Sequence, residues 1–209
     1  VMDLQGENRI IVKEGLRQLS ATHTPGLRAL IRANNLDGAE ITAYHVGFVL
    51  GPCINASGRL DTAARSLELL CETNEEKAAE LAGDLLALNQ SRKAMTEKGK
   101  EEAIRLIEET GLNEDRVLVV YLPDCHESLA GIIAGRIREK YHKPVFVLTK
   151  GENSVKGSGR SIEAYSMYEE MVKCGDLLIQ FGGHPMAAGL SIEEKNVELF
   201  RKQLNANCT

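Results

Sequence analysis

The stretch from Thr73 to Thr110 constrains the fold most strongly, because its pattern predicts one continuous helix. The run Thr73-Asn74-Glu75-Glu76 offers a polar cap followed by acidic residues in the first turn. Apolar residues then recur at three- and four-residue steps or their multiples, whereas residues 89–102 are mostly polar and charged. Such a helix, roughly 50 Å long, is typical of a connection between two bodies across solvent. A coiled-coil arm is the alternative, but the apolar heptads are not sustained.

The segment before this helix is predicted to be helical, with one loop of functional interest. Residues 1–33 carry an apolar helical stripe that is interrupted at Thr24-Pro25-Gly26. The run Gly51-Pro-Cys-Ile-Asn-Ala-Ser-Gly-Arg-Leu60 is rich in loop-forming residues, and Asn55 and Arg59 offer polar groups to a phosphate or a sugar. A capped turn with a surface arginine is the other interpretation of this run. Residues 60–70 predict a short amphipathic helix.

After Gly111 the pattern changes to alternating strands and helices. Residues 116–122 and 144–149 predict buried strands, and residues 127–141 predict a helix between them. This order favours an α/β fold with a mostly parallel sheet. Gly131 and Gly135 are expected to permit close packing of the helix on the sheet. His126 precedes the helix and is either a cap or a ligand contact, and we favour the cap.

A cationic run, Lys156-Gly-Ser-Gly-Arg-Ser161, follows the second strand and is predicted to be a flexible loop. Residues two apart in an extended segment point to the same side, so Ser158 and Arg160 can grip one phosphate together. A solvated hairpin loop is the alternative.

The run Phe181-Gly-Gly-His-Pro-Met-Ala-Ala-Gly189 surrounds one histidine with small residues. We predict a strand before it, over residues 177–179, and a short helix that begins near Pro185. Gly182 and Gly183 permit a sharp turn and a close approach to a ligand. A helix start suits a phosphate, so His184 is expected at the mouth of an anion site. A tight strand–helix turn with a packed histidine is the alternative.

Composition narrows the classes of function. The net charge of −5 argues against a polycation that coats nucleic acid, and no stretch is apolar enough to span a membrane. The five cysteines are scattered, without a pattern typical of zinc sites, and indicate reduced thiols in a cytoplasmic protein. Tryptophan is absent and aromatic residues make up 4% of the chain, so base-stacking platforms are not evident.

Together, the runs at residues 51–59, 157–161 and 182–189 resemble the DHH/DHHA1 phosphoesterase superfamily. More closely, they are similar to the RecJ-type exonucleases, which degrade single-stranded DNA from the 5′ end. The runs at residues 126–136 and 6–9 also match that family. Cys125 stands where many relatives have tryptophan. The resemblance covers the whole chain with its motifs in order, and we expect the chain to be a piece of a longer protein.

The resemblance implies a division into three parts. Residues 1–72 would be the C-terminal helices of a DHH catalytic domain, residues 73–111 a connecting helix, and residues 112–209 a DHHA1 domain with a mixed, mostly parallel sheet. The DHH domain of the family holds two metal ions, manganese or magnesium. This sequence contains no Asp-His-His run, and the last metal ligand of the family would fall just ahead of Val1. No metal or cofactor is therefore expected here, and Asp3 would be a ligand only if this alignment is shifted.

The resemblance also implies roles for individual residues. Arg59, with Asn55 beside it, would contact the DNA backbone. Ser158 and Arg160 would hold the 5′ phosphate. His184, with the amides of Gly182 and Gly183, would line the cleft that faces the metal ions, and no complete catalytic set is expected in this chain.

For the full protein, the resemblance implies two-metal hydrolysis of single-stranded DNA in the 5′→3′ direction, in DNA repair and recombination. The partner would be single-stranded DNA, with no membrane involved. Two alternatives stay open. One is a related phosphodiesterase that acts on short oligonucleotides or cyclic dinucleotides, and the other is a non-catalytic nucleic-acid-binding module.

Overall fold

The computed structural model describes residues 2–208 of the chain. Contacts divide the chain into two compact units, residues 1–93 and 94–209, and the division falls inside the longest helix, Glu75–Glu109. This helix has 35 residues, which confirms the prediction of one continuous helix. Within residues 2–208, no helix is both long enough and apolar enough to cross a membrane.

The first unit is helical. Its elements are α1 (Gly6–Ser20), α2 (Pro25–Ala33), α3 (Ala43–His45), a π-helical turn (Val46–Leu50), α4 (Gly51–Leu60), α5 (Ala64–Cys71) and the first part of α6 (Glu75–Glu109). Pro25 occupies the first turn of α2, where its missing N–H group costs no hydrogen bond. The core joins residues from most of these helices, including Leu30, Leu50, Leu69 and Leu85. The helical interpretation of this region is therefore confirmed.

The predicted loop at residues 51–60 is wrong, because this run forms helix α4. Its small residues Cys53, Ala56 and Ser57 recur at helical spacing and are buried. The Ser57 Oγ lies 2.7 Å from the Ser66 Oγ of α5, and Ser66 donates to the Ile54 carbonyl. Small side chains in this run thus serve close helix packing and not a flexible loop.

The polar middle of α6 is not wholly solvated either. Asn89 is buried, and its amide nitrogen lies 3.4 Å from the Cys53 sulfur of α4. The guanidinium of Arg92 donates to the Asn89 side-chain oxygen at 3.0 and 3.1 Å. A polar residue that the periodicity assigned to the solvent face therefore anchors α6 within the first unit.

The second unit is an α/β domain whose sheet has the strand order β1-β2-β3-β5-β4. After the remainder of α6, its elements are β1 (Leu118–Tyr121), α7 (Ala130–Tyr141), β2 (Val145–Lys150), β3 (Val155–Arg160), α8 (Met167–Val172), β4 (Leu178–His184), β5 (Ala187–Ile192) and α9 (Val197–Asn207), with short 3-10 turns at residues 112–114, 127–129, 175–177 and 194–196.

The sheet is mixed, as predicted, but the expectation of mostly parallel pairing is wrong. Within residues 2–208, only β1 and β2 pair in parallel, across the connection that contains α7. The pairs β2–β3, β3–β5 and β5–β4 are antiparallel. The reason is that β2 and β3, and likewise β4 and β5, follow each other through short turns, and a short turn can join only antiparallel strands.

Each face of the sheet has its own cover. On one face, Phe146 packs edge-on against Phe200 of α9, and Met167 and Met171 of α8 join the same cluster. On the other face, Ile133 and Ile137 of α7 pack with residues of β1 and β2. Helix α7 contacts β2 and β3, whereas Gln180, Gly182 and His184 of β4 are exposed. Two of the predicted binding residues, Gly182 and His184, lie on this exposed part of the α7 side.

Candidate functional site

The predicted cationic loop at residues 156–161 is instead strand β3, which pairs with β2 on one side and β5 on the other. The two glycines of β3, Gly157 and Gly159, are needed because neighbouring side chains leave no room for a Cβ atom, and not because the segment is flexible. A Cβ atom on Gly159 would lie 2.3 Å from the Met167 sulfur, and one on Gly157 would lie 2.5 Å from a Leu148 methyl group. Ser158 and Arg160 alternate with these glycines and so point to the opposite face, the α7 side of the sheet.

The Gly-His segment is also a strand, which corrects the predicted strand–helix turn. Gly182, Gly183 and His184 end β4, and Pro185-Met186 forms a hairpin turn into β5. The Met186 N–H lies 3.4 Å from the His184 Nδ1. No helix begins at Pro185 or Met186, so this segment offers no helix-terminal amides to a phosphate.

Strand register places the two motifs side by side. Arg160 pairs with Ala187 of β5, and Ala187 pairs on its other edge with His184. One step along the strands, Ser158 pairs with Gly189, and Gly189 pairs with Gly182. Residues directly opposite each other in neighbouring strands share a face, so Ser158, Arg160 and His184 lie on one side of the sheet.

A groove of about 620 Å³ lies on this face. Ser158, Gly182 and Gly189 line it, and the two glycines leave its floor without side chains. The other lining residues are Glu127, Ser128, Lys156, Gly157, Gln180, Phe181, Leu190 and Ser191. Arg160 and His184 belong to the next row of the sheet and are not part of the lining. Arg160 and His184 therefore lie next to one end of the groove.

Gly183 has a different role from the one predicted. It alternates with Gly182 and His184 and pairs with Ala188, on the side of the sheet away from the groove. Its φ angle is 152°, and a Cβ atom there would lie 2.4 Å from the Ala187 carbonyl oxygen. Gly183 is thus needed for the hairpin itself, and Gly182, not Gly183, belongs to the floor of the groove together with Gly189.

Arg160 is oriented by its surroundings. Its Nη1 atom lies 2.7 Å from the Gly159 carbonyl oxygen and 3.4 Å from the Ser158 Oγ. A Cβ atom on Gly131 of α7 would lie 2.7 Å from the Arg160 Nη2 and 2.8 Å from the Ser158 Oγ. The missing side chain at Gly131 therefore makes room for both groups. The predicted close packing is therefore confirmed at Gly131. It is wrong at Gly135, where a Cβ atom would meet nothing within 4 Å.

His126 is a capping residue, as favoured from the sequence. Its Nδ1 accepts from the Ser128 N–H at 3.3 Å and lies 2.8 Å from the Ser128 Oγ. The two residues after it, Glu127 and Ser128, line the groove and were not singled out from the sequence. Their position directly before a helix that follows a strand is the signal that points to such a wall.

Asn55 and Arg59 lie in the first unit, on α4. They are four residues apart in the same helix and therefore share a face. Asn55 is exposed and Arg59 is half-buried. A shared polar face on a rigid helix replaces the flexible loop that the sequence predicted.

The side-chain types that most often bind metal ions are not clustered among the described residues. Within residues 2–208, no three His, Cys, Asp or Glu side chains lie close enough together to hold one. Asp3 is exposed and precedes α1, and its backbone carbonyl accepts from the Asn8 side chain at 3.0 Å. We assign no step of a reaction to a metal bound by these residues.

Comparisons with known proteins agree with this architecture. Residues 114–209 match the DHHA1 domain family. The single-stranded-DNA-specific exonuclease RecJ of Dickeya dadantii is 39% identical over 97% of this chain, and that of Bacillus subtilis is 36% identical over 98%. The chain spans 37% of the length of the first relative and 26% of the second.

A solved structure extends the similarity to the fold. The crystal structure of RecJ from Thermus thermophilus in complex with Mg²⁺ superposes with a TM-score of 0.88 and 33% identity, over 99% of this chain and 32% of that one. Residues 114–209 therefore match the DHHA1 domain family, and the chain is similar over nearly its whole length to one region of the RecJ-type exonucleases.

Proposed function

We propose that this chain is the phosphate-binding part of a metal-dependent 5′→3′ exonuclease that degrades single-stranded DNA in repair and recombination. Residues 1–72 are the end of its DHH domain, residues 73–111 its connecting helix and residues 112–209 its DHHA1 domain. The relatives are named as single-stranded-DNA-specific exonucleases, which supports this substrate. All five cysteines are free thiols, which fits the proposed cytoplasmic location.

One observation carries the proposal. Three strands place Ser158, Arg160 and His184 on one face, at the end of a groove whose floor is formed by Gly182 and Gly189. A hydroxyl and a guanidinium side by side suit a terminal phosphate, because a charge-assisted hydrogen bond from arginine is stronger than a neutral one. The glycine floor lets a sugar lie directly on the backbone.

The chain's own residues position the substrate and neutralise its charge. Ser158 and Arg160 hold the 5′ phosphate, and His184 flanks them from β4. In the first unit, Arg59 and Asn55 contact the sugar–phosphate backbone. The metal ions of such an enzyme, manganese or magnesium, would activate water for phosphodiester hydrolysis. Because this sequence lacks the Asp-His-His run, we expect no hydrolysis by these 209 residues alone. Manganese-dependent cleavage that is abolished by Asp3→Ala would contradict this.

The proposal is tested by measuring the affinity for 5′-phosphorylated and unphosphorylated strands of otherwise identical sequence. We expect the wild-type chain to bind the phosphorylated strand about tenfold or more tightly, since a hydrogen-bonded charge pair contributes roughly 1.5–3 kcal/mol. Arg160→Ala should remove this preference. Arg136→Ala is the matched control, because Arg136 is an exposed arginine of the same domain that pairs with Glu139 on α7.

Equal affinity of the wild-type chain for both strands, or a preference that survives Arg160→Ala, would contradict the proposal. A cyclic dinucleotide that binds more tightly than the 5′-phosphorylated strand would favour the alternative phosphodiesterase instead, since a cyclic ligand has no terminal phosphate.

A further inference from the structure

Lys156 lines the same groove and has no role in the phosphate site described above. It pairs with Ser191 of β5, which in turn pairs with Gln180 of β4. This row lies one step from the row of Ser158, on the far side of the glycine floor from Arg160. The groove therefore has a second polar row, which runs parallel to the first and ends in a lysine.

The ammonium group of Lys156 is held in place over the sheet. Its Nζ donates to the Ser191 Oγ at 2.9 Å, and its stem runs beside Gly151, where a Cβ atom would lie 2.9 Å from the Lys156 Cγ. Within residues 2–208, no carboxylate lies within 4 Å of this ammonium group. A fixed cation with two further N–H donors is thus available to an anion in the groove.

Glu127 is the acidic residue of the lining, and its position favours one path for a ligand. Glu127 belongs to the 3-10 turn that precedes α7, and this turn contacts β2. The Lys156 ammonium leans the other way, toward β5. Next to Lys156, a negatively charged backbone is therefore repelled by Glu127 and attracted to the β3–β5 side of the groove.

The spacing along β3 matches a nucleic-acid backbone. Lys156 lies two residues from Ser158, which corresponds to about 7 Å along a strand. Consecutive phosphates of an extended single strand are separated by a similar distance. A strand whose terminal phosphate contacts Ser158 and Arg160 can thus place its next phosphate at Lys156, with the intervening sugar over Gly189 and Gly182.

We propose that Lys156, positioned by Ser191, binds the second phosphate from the 5′ end and forms a separate subsite of the groove. The order of the subsites rests on the proposed function, because Ser158 and Arg160 define which phosphate is terminal. The subsite makes a dinucleotide with a 5′ phosphate the smallest ligand that fills the groove. Binding at this subsite is independent of base identity, since Lys156 contacts only the sugar–phosphate backbone.

The test compares thymidine 5′-monophosphate with the 5′-phosphorylated thymidine dinucleotide and trinucleotide as ligands in calorimetric titrations. The wild-type chain should bind the dinucleotide about tenfold more tightly than the mononucleotide, as expected for one hydrogen bond to a charged group. Lys156→Gln should abolish this gain and leave the affinity for the mononucleotide unchanged. For the dinucleotide it should also reduce the slope of log affinity against log salt by about 0.7, the value for one phosphate of a single strand.

Lys150→Gln is the matched control. Lys150 is exposed and belongs to the same β2–β3 hairpin, but it pairs with Val155 and so points to the opposite face from Lys156. This control should retain the full gain. A gain that survives Lys156→Gln, a loss of the same size in Lys150→Gln, or no gain in the wild-type chain would overturn the subsite.

Failure of the proposed function gives a different result. If Arg160→Ala leaves the preference for a 5′ phosphate intact while Lys156→Gln still removes the gain from mononucleotide to dinucleotide, the terminal-phosphate assignment fails and the lysine subsite stands.

Discussion

Arg160 and His184 pair with the same residue, Ala187, from the two edges of β5, so their side chains project from one face of the sheet. The two residues are 24 positions apart in the sequence, and one strand separates them in the fold. In the proposed function, this arrangement makes one anion site of two distant motifs. Small residues in neighbouring strands and in α7 are then expected to control binding at this site.

Gly131→Ala should weaken phosphate binding with little loss of stability. The new methyl group would displace the flexible end of Arg160 and the Ser158 hydroxyl, which lie 2.7 and 2.8 Å from it. We expect the preference for 5′-phosphorylated DNA to fall severalfold, measured by titration. Gly135→Ala on the same helix meets nothing within 4 Å. It should preserve binding and raise the free energy of unfolding by about 0.5–1 kcal/mol, because alanine is the better helix former. Equal binding by both variants would contradict the inference that Gly131 leaves the space that Arg160 and Ser158 need.

Gly183→Ala and Gly182→Ala should separate folding from binding. A side chain at Gly183 would clash with backbone and Cβ atoms at 2.4–2.8 Å, at a φ angle of 152°. We expect a loss of roughly 2–4 kcal/mol in the free energy of unfolding, from strain and overpacking. A side chain at Gly182 meets nothing within 4 Å but enters the floor of the groove, so that variant should fold normally and bind nucleotides poorly. Urea unfolding and ligand titration of both variants check this. A destabilised Gly182→Ala that still binds nucleotides, beside a stable Gly183→Ala that does not, would contradict the assignment of Gly182 to the floor of the groove.

Cysteine reactivity should follow burial. Desolvation raises the pKa of the buried Cys174 thiol to about 11, with Glu170 adding to the effect, whereas Cys71 is exposed. Alkylation at pH 8 should therefore label Cys71 quickly and Cys174 slowly, as measured by peptide mass spectrometry. The folded state binds this proton more tightly than the unfolded state. The contribution of Cys174 to stability is therefore complete below about pH 8.5 and declines as the pH rises toward 11. Comparable labelling of the two thiols in the folded chain would show that the α8 region is open.

Binding should be steeply dependent on salt and insensitive to base identity. The proposed contacts are made to phosphates by Arg160, Lys156 and Arg59, and phosphate contacts release counterions without reading sequence. We expect 5′-phosphorylated strands of thymidine and of mixed sequence to bind within about twofold of each other, with affinity falling as sodium chloride rises. A strong preference for one base at constant salt would instead indicate base readout in the groove.

The sequence predicted which side chains share a face better than it predicted their local structure. The two-residue spacing of Ser158 and Arg160 correctly predicted that both side chains lie on one side, and His184 lies on the same side of the sheet. The glycines were misinterpreted as loop formers, because their requirement comes from Met167 and Leu148, which are distant in sequence or on another strand. The short run between Lys150 and Val155, which contains glycine, asparagine and serine, was the available signal for an antiparallel hairpin.

The same cause explains the other errors. The run at residues 51–60 has loop-like composition, yet burial of Cys53, Ala56 and Ser57 makes it a helix. The predicted helix after Pro185 is overridden by tertiary hydrogen bonds, since the Pro185 carbonyl accepts from Met167 and the Met186 carbonyl accepts from Ser161. The lining residues Glu127 and Ser128 could be identified only from their position directly before a helix that follows a strand, because their residue types alone do not mark them. Propensity alone could not identify these contacts.

Amide chemical-shift mapping during titration with a 5′-phosphorylated thymidine oligonucleotide tests the central claim most directly. We expect the largest shifts at Ser158, Gly182 and Gly189, with Lys156 responding to the dinucleotide but not to the mononucleotide. Shifts confined to residues outside strands β3, β4 and β5, with these four amides unmoved at saturation, would contradict it.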